Sequence, residues 1–454
     1  MTDNLRIWLS NPLAIYTGND EDASGGIVVS GKAIVELVAK GETPVNIDQT
    51  IDVSDQVLIP GLINTHHHFY QTLTRALPAA LNKELFPWLQ TLYPVWANLD
   101  PEIHRAATKL ALAELLLSGC TTASDHHYLF PANLTDAIDH QIEIGREMGV
   151  RMAMTRGSMS LGQDQGGLPP NTVVQTEDEI LQDSERLVSR YHDREPYSMS
   201  QIALAPCSPF SVTTELMRDT ASLAKQLNVR LHTHLAETID EENFCERSFG
   251  MRTVDYLESV GWLSSNTWLA HGIHFNDEEI ARLGKAGVGV CHCPSSNMML
   301  ASGIAKVKEL EAAGSPVGLG VDGSASNDCS NMIQEVRQAM YIQRLRYGSS
   351  AVTHFDAYRW GTKGSAQVLG RDDIGELAVG KAADLALFKL DEPRFSGAHD
   401  PLAALLLCGA HRAEAVMVNG EWRVKAGELV GQDIERIMHE HKEAANTLAA
   451  RAIS

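Results

Sequence analysis

Residues 57–68 read Val57-Leu58-Ile59-Pro60-Gly61-Leu62-Ile63-Asn64-Thr65-His66-His67-His68, an apolar run that ends abruptly in polar residues and three imidazoles. Before it the chain is written in short alternating segments. Residues 26–37 alternate around a Ser-Gly turn and predict a hairpin, with 51–58 as a further short strand, so the first 55 residues read as all-β. From Val57 the pattern changes. A strand ending at Asn64 is followed by a long loop, and Asp100 with Pro101 supply the cap and first position of a helix that closes before Gly119. Strands are then predicted at 121–125, 151–156, 202–205, 229–234, 267–271, 287–291 and 317–321, separated by helical patterns at 137–148, 177–191, 213–227, 253–260, 277–286 and 304–313. Thr176 with Glu179 forms a capping box, and Gly149, Gly287 and Gly314 are stop signals.

Eight strand-helix units over about 270 residues match the size and rhythm of a (β/α)₈ barrel, with a doubly wound sheet as the alternative on pattern alone. After a helix at 331–347 short β segments return at 383–390, 415–418 and, past the Asn419-Gly420 turn, 421–424. The economical reading is an α/β chain with three parts. Residues 1–56 and 373–454 build a small β-sandwich from both chain ends, the second part ending in a helix, and residues 57–372 build the barrel.

The 454 residues are 44% hydrophobic and 21% charged, which fits a folded domain and excludes a long disordered or fibrous chain. Asp and Glu outnumber Lys and Arg by 58 to 37, and the net charge of −21 repels phosphate backbones and anionic lipid. Neither nucleic acid nor a membrane is expected as a partner. The longest apolar runs, 110–117 and 402–407, fall short of the roughly 18 residues of a membrane span. Met1-Thr2-Asp3-Asn4 lacks the layout of a signal peptide, so a cytoplasmic location is expected. The seven cysteines are odd in number and scattered, which points to reduced thiols. Cys291 and Cys293 read as small core residues, because no second Cys or His pair stands at finger-like spacing. No Gly-rich phosphate loop and no Gly-x-Ser-x-Gly elbow occurs, which disfavours NAD, ATP and serine hydrolase chemistry.

The 18 histidines are the unusual count. His-x-His occurs at His66/His68, His232/His234 and His439/His441, but chance supplies on the order of one such pair in a chain of this composition. Placement therefore decides. On an extended chain residues two apart face the same side, so His66 and His68 at the end of the first strand can both point into a barrel mouth. His232, His234 and Glu237 close the fifth strand, His271 and His274 the sixth, and Asp322 the eighth. Taken singly, each reads as a buried hydrogen-bonded histidine or a turn carboxylate. Together they form a set that suits Zn²⁺, which takes imidazole nitrogen and carboxylate oxygen at about 2.0–2.2 Å and keeps one position open. His439 and His441 lie in a charged helical stretch where residues two apart share no face, and read as surface residues.

Residues 57–68, His234-Leu235-Ala236-Glu237, Ala270-His271-Gly272, Gly320-Val321-Asp322-Gly323 and the stretch from Gly375 to Leu385 resemble, in this order, the motifs of the amidohydrolase superfamily, in its aminohydrolase and chlorohydrolase branch. The likeness runs over nearly the whole chain. It implies a distorted TIM barrel with a sandwich built from both ends. It also implies one divalent metal, zinc with iron as the alternative, on His66, His68, His234 and Asp322. Glu237 would shuttle protons, His271 would hold the attacking hydroxide, and Asp322 would also accept a proton. Binuclear relatives carry a carboxylated lysine after strand four; here that strand reads Ile202-Ala203-Leu204-Ala205-Pro206-Cys207, so a single metal is implied.

The local likeness of residues 66–76, 86–89 and 124–128 implies hydrolytic deamination of a purine-like base, with 8-oxoguanine giving urate and ammonia. Triazine aminohydrolysis or chlorohydrolysis, and deamination of guanine or S-adenosylhomocysteine, are the alternatives. The expected partner is a small heterocycle, and a homo-oligomer is compatible with the chain. Gln71 could hydrogen-bond a purine edge and Trp88 could stack on the ring, with His126, Arg156 and Cys207 ending strands two, three and four; equally, Trp88 reads as loop packing and Arg156 as the partner of a nearby acid. A metal-binding barrel without turnover would have no need of Glu237 or Asp322, and both are present.

Overall fold

Eight short parallel strands stand side by side in chain order: β1 (Leu62–Asn64), β2 (Cys120–His127), β3 (Arg151–Ser158), β4 (Ser200–Pro206), β5 (Leu231–Leu235), β6 (Thr267–His271), β7 (Gly289–His292) and β8 (Val317–Leu319). They belong to a computed structural model that describes residues 5–453. Consecutive strands pair without a switch of order, which is the barrel arrangement and not the doubly wound sheet. The ring closes between its first and last members. Thr65 N donates to Leu319 O at 2.9 Å, Val321 N to the Asn64 side-chain oxygen at 2.9 Å, and Asp322 N to His66 O at 3.1 Å. Beyond these bonds Asp322–Gly323 runs parallel to His67–His68. Gly320 permits this approach, since a Cβ there would lie 2.8 Å from His66 O.

The run at 57–64 is two strands and not one. Gln56–Pro60 belongs to the sandwich and Leu62–Asn64 to the barrel, with the break at Gly61, where a Cβ would sit 2.2 Å from Thr121 Oγ1. The strand expected at 51–58 is likewise divided, because Asp52 Oδ1 accepts Ser54 N at 3.1 Å and turns the chain between Gln49–Asp52 and Gln56–Pro60. The loop expected after Asn64 contains 3₁₀ turns at Phe69–Thr74 and Pro78–Ala80 and a helix at Leu85–Trp96, which Pro87 and Pro94 obscure in the sequence. Helices at Ile239–Phe249, Pro294–Met299, His354–Arg359 and Pro401–Leu407 also fill stretches without a helical pattern.

A four-stranded sheet (Arg6–Ser10, Gly26–Ser30, Ala33–Val38, Gln49–Asp52) faces a six-stranded one in which Gln56–Pro60 pairs antiparallel with Leu385–Lys389 and then Ala415–Val418. Leu9, Ile27, Val29, Leu58, Leu385 and Met417 pack between them, so both ends of the chain build this core. The terminal helix Ile434–Ile453 lies on Pro101–Leu117 and Phe69–Thr74. This corrects the surface reading of His441: it is buried, with Nε2 3.1 Å from Thr72 Oγ1, whereas His439 is exposed. All seven cysteines are free thiols, with Cys291 and Cys293 buried. Among the described residues no helix is long and apolar enough to cross a membrane.

A buried ion pair joins the sandwich to the barrel floor, beside an apolar contact that includes Val57, Ile59, Ala386 and Phe388. Arg151, at the start of β3, directs Nε and Nη2 onto Asp384 at 3.0–3.1 Å and Nη2 onto Asn419 Oδ1 at 2.6 Å. Both partners are almost fully removed from solvent. Replacing one member leaves a buried charge uncompensated, so Asp384→Ala is expected to cost about 3–5 kcal/mol of stability. A urea titration in which this variant unfolds at the wild-type midpoint would contradict that role.

Candidate metal centre and active site

The C-terminal ends of β1, β5, β6 and β8 deliver His66 and His68, His234 and Glu237, His271, and Asp322 to one mouth, all of them buried. Three of these exits bend through left-handed backbone at non-glycine residues: Ala236 (φ 54°), His271 (φ 72°) and Asp322 (φ 61°). Such conformations cost about 1–2 kcal/mol each for an L-residue, and here they turn the chain so that side chains from separate strands converge.

The neighbouring acceptors fix the ring tautomers. A carbonyl oxygen only accepts, so His68 Nδ1, 2.8 Å from His126 O, and His234 Nδ1, 2.7 Å from Cys207 O, carry the protons of their neutral rings. His232 Nδ1 donates to Trp268 O at 3.0 Å, which leaves its Nε2 to accept from His66 Nδ1 at 2.8 Å. The Nε2 atoms of His66, His68 and His234 are therefore bare lone pairs. His68 Nε2 and His234 Nε2 stand 3.3 Å apart, and His66 Nε2 and His68 Nε2 each lie 3.3 Å from Asp322 Oδ1. His66 Nε2 is buried with no hydrogen-bond partner. Acceptors so placed repel one another unless a cation stands among them, and nitrogen with carboxylate oxygen is a donor set that fits zinc or iron. The outward hydrogen bonds are those that orient imidazoles around a metal. His66, His68 and Asp322 are thus a group that could hold an ion, as are His66, His234 and His271 together, and His66, His126 and His232.

Burial pushes His66 well below the usual imidazole range and His234 down to about 3, so both are neutral. Burial acts against the charge of Asp322, but positive charge on the imidazole side, from N–H groups of His66 and His68 or from a cation in their place, outweighs it and holds the carboxyl well below its usual range. Glu237 moves the other way: burial, then the negative charge of Asp322, raise it well above the usual carboxylate range. Its Oε2 lies 3.4 Å from His271 Nε2, and its Oε1 is buried without a partner. The site therefore sets an ionised and a protonated carboxyl side by side, the arrangement of a general base and a general acid.

Above these groups is a narrow pocket whose walls include Gln71, Trp88 and Cys207. Trp88 reaches it from the helix that the sequence conceals, and Gln71 from the Phe69–Thr74 turn, where Gly323 makes room for its amide. Burial raises the Cys207 thiol to about 12, so it stays protonated. Two expected contacts fall elsewhere. Arg156 is off the cavity and already engaged: Nε meets Asp183 Oδ2 at 2.7 Å, Nη2 meets Gln175 Oε1 at 2.8 Å, and the guanidinium lies 4.0 Å from the Phe130 ring centre. His126 sits beneath the ligand cluster with Nε2 on Ala205 O at 2.9 Å. His274 is also outside, 2.9 Å from Ser302 O. Sequence reasoning passed over the apolar wall residues Phe210 and Leu300, which carry no signal beyond their hydrophobicity, and Asn297, whose Oδ1 is 3.0 Å from His271 Nδ1.

The family model described as the amidohydrolase family matches residues 57–423. The chain is 64% identical, over 98% of its length and 99% of the relative's, to an 8-oxoguanine deaminase of Pseudomonas aeruginosa. An isoxanthopterin deaminase from an unknown prokaryotic organism is 36% identical over 89% of this chain and 88% of its own. Among solved structures, an atrazine chlorohydrolase from Arthrobacter aurescens complexed with zinc superposes with a TM-score of 0.92 at 33% identity, covering 97% of this chain and 100% of that one.

Histidines buried neutral also dictate the acid limit of the fold. Burial lowers His127 to about 3 and His441 to about 4 from an ordinary 6.5, so the unfolded chain binds protons that the folded chain refuses. Their contribution is complete above about pH 6.5 and is lost progressively as pH falls from there to the folded values. Unfolding free energy measured from pH 6.5 down to 4 should fall, and His441→Gln should flatten the slope by up to about 1.4 kcal/mol per pH unit, one proton's worth. Identical slopes would show that His441 titrates normally.

Proposed function

The chain belongs to the amidohydrolase family, and on that premise we propose that it is a hydrolytic deaminase whose substrate is 8-oxoguanine, which it converts with water into urate and ammonia. The observation that carries the chemistry is the buried Glu237 carboxyl, raised well above its usual range, set 3.4 Å from His271 and beside a ring of imidazole lone pairs. The identity to the Pseudomonas aeruginosa relative supports the choice of base.

His66, His68, His234 and Asp322 would hold one divalent ion, zinc in this reading; Cys207 follows the end of β4, with no lysine to bridge a second. When bound, the ion supplies a water acidified to a pKa of about 7. The remaining work falls to the chain's own groups. Trp88 covers the face of the bicyclic ring and Gln71 hydrogen-bonds its edge, holding the amino-bearing carbon over His271 and Glu237. Glu237 passes its proton to the ring nitrogen next to that carbon as water adds. Asp322 Oδ2, 3.8 Å from His271 Nε2, lies where it can take the proton that the water gives up. Asp322 then passes its proton to the amino group, which departs as ammonia, and the hydroxyl proton left on the carbon returns to Glu237 as that oxygen becomes a carbonyl. The buried walls of the cavity exclude bulk water and strengthen each of these contacts.

Ammonia release from 8-oxoguanine, guanine, isoxanthopterin and triazines, measured in parallel, tests the proposal: the highest kcat/KM is expected for 8-oxoguanine with urate as co-product, and no release from any purine would overturn it. Glu237→Gln is expected to lose about 10²–10⁴-fold in kcat while keeping its metal content, as loss of a general acid-base group does. Unchanged turnover would refute the role of Glu237. Chelation should abolish activity and added zinc restore it, and activity that survives complete metal removal would contradict the ligand assignment.

A further inference from the structure

His271 differs from the other three imidazoles at the mouth. Their Nδ1 atoms face carbonyl or imidazole acceptors, whereas His271 Nδ1 lies 3.0 Å from Asn297 Oδ1, one end of a side-chain amide whose other end, Nδ2, points at His292 and which can accept or donate once turned. Which it does is settled further inside the protein. Gln343 Nε2 donates to Ala305 O at 3.3 Å, and this carbonyl fixes the orientation of the Gln343 amide. The same nitrogen is 3.1 Å from His292 Nε2, so His292 Nε2 must accept and His292 Nδ1 must carry the ring proton. His292 stays neutral to do so, since burial lowers it to about 3. His292 Nδ1 is in turn 3.5 Å from the Asn297 amide. With Asn297 Nδ2 on that side two N–H groups would oppose each other. The two ends of a side-chain amide are the same size, so hydrogen bonding decides between them. Turning the amide puts its oxygen toward His292 and its nitrogen toward His271 Nδ1. All four side chains are buried, so no solvent competes for these positions.

We propose that Gln343, His292 and Asn297 form a relay of positioning residues that fixes His271 as the Nε2–H tautomer. The other end of the ring agrees. His271 Nε2 faces Glu237 Oε2 at 3.4 Å and Asp322 Oδ2 at 3.8 Å, and the negative charge of Asp322 attracts a proton there where it would repel a lone pair. The mouth thus holds imidazoles of two kinds. His66, His68 and His234 present lone pairs and are fit to ligate; His271 presents a donor and is fit to hold the attacking oxygen or the substrate. This division of roles rests on the deaminase reading above, but the tautomer itself does not.

The test is a long-range ¹H–¹⁵N spectrum of the metal-loaded protein labelled with ¹⁵N-histidine, with His271 assigned by its loss in His271→Gln. His271 Nδ1 is expected at the shift of a bare ring nitrogen and Nε2 at that of a protonated one. Asn297→Asp, whose carboxylate only accepts, should reverse the two assignments. Gln343→Leu releases His292 and should bring both His271 nitrogens to intermediate shifts, from a position that does not touch the site. A protonated Nδ1 in the wild-type protein overturns the proposal, as does a His271 spectrum unchanged by both substitutions. Because the spectrum needs no substrate, a chain with the expected tautomer but no ammonia release would sink the deaminase reading alone.

Discussion

Three imidazoles that have each committed their one proton outward leave their inward nitrogens pointing at one another and at a carboxylate. His66, His68 and His234 with Asp322 are stable in that arrangement only around positive charge. Much of the architecture follows from holding them there. The segment that carries His66 and His68 and the segment that carries Asp322 are the two edges that shut the barrel, through Thr65 to Leu319, Asp322 to His66 and the short parallel pairing beyond. Closing the ring and assembling the site are one event. A slip of one residue in that register would turn His66 and His68 away from Asp322.

The same burial acts in opposite directions on adjoining groups, and from that contrast comes a site able to move protons. Asp322 stays ionised because it meets positive charge on the imidazole side, while Glu237 is held toward its protonated form by burial and the charge of Asp322, which outweigh the nearby His68. The left-handed residues Ala236, His271 and Asp322 are strained for the sake of this geometry. Their strain is borne by a rigid barrel with a large buried core and by the Arg151–Asp384 pair beneath.

Much of this was legible in the sequence, for physical reasons. A parallel strand buried on both faces is written as an unbroken apolar run, so the eight strands could be counted, and a polar residue ending such a run at the barrel mouth had few other places to go. That made His66, His68, His232, His234, Glu237, His271, His274 and Asp322 readable as candidates by position, and the family resemblance chose among them. What failed to show depended on tertiary neighbours. The break at Gly61 is forced by Thr121, far along the chain. The helix that presents Trp88 begins and ends near prolines, and its apolar face is decided by what it covers. Arg156 ends a strand like a functional residue, yet Asp183 on the following helix captures it. His441 looks exposed on a charged helix until that helix lies across Thr72.

The account stands on four side chains sharing a single ion. Anomalous diffraction from crystals of active protein, collected at the absorption edge of the metal that elemental analysis finds, tests it most directly. One peak is expected, at about 2.0–2.2 Å from His66 Nε2, His68 Nε2, His234 Nε2 and the Asp322 carboxylate. Active crystals with no peak at that point would contradict it.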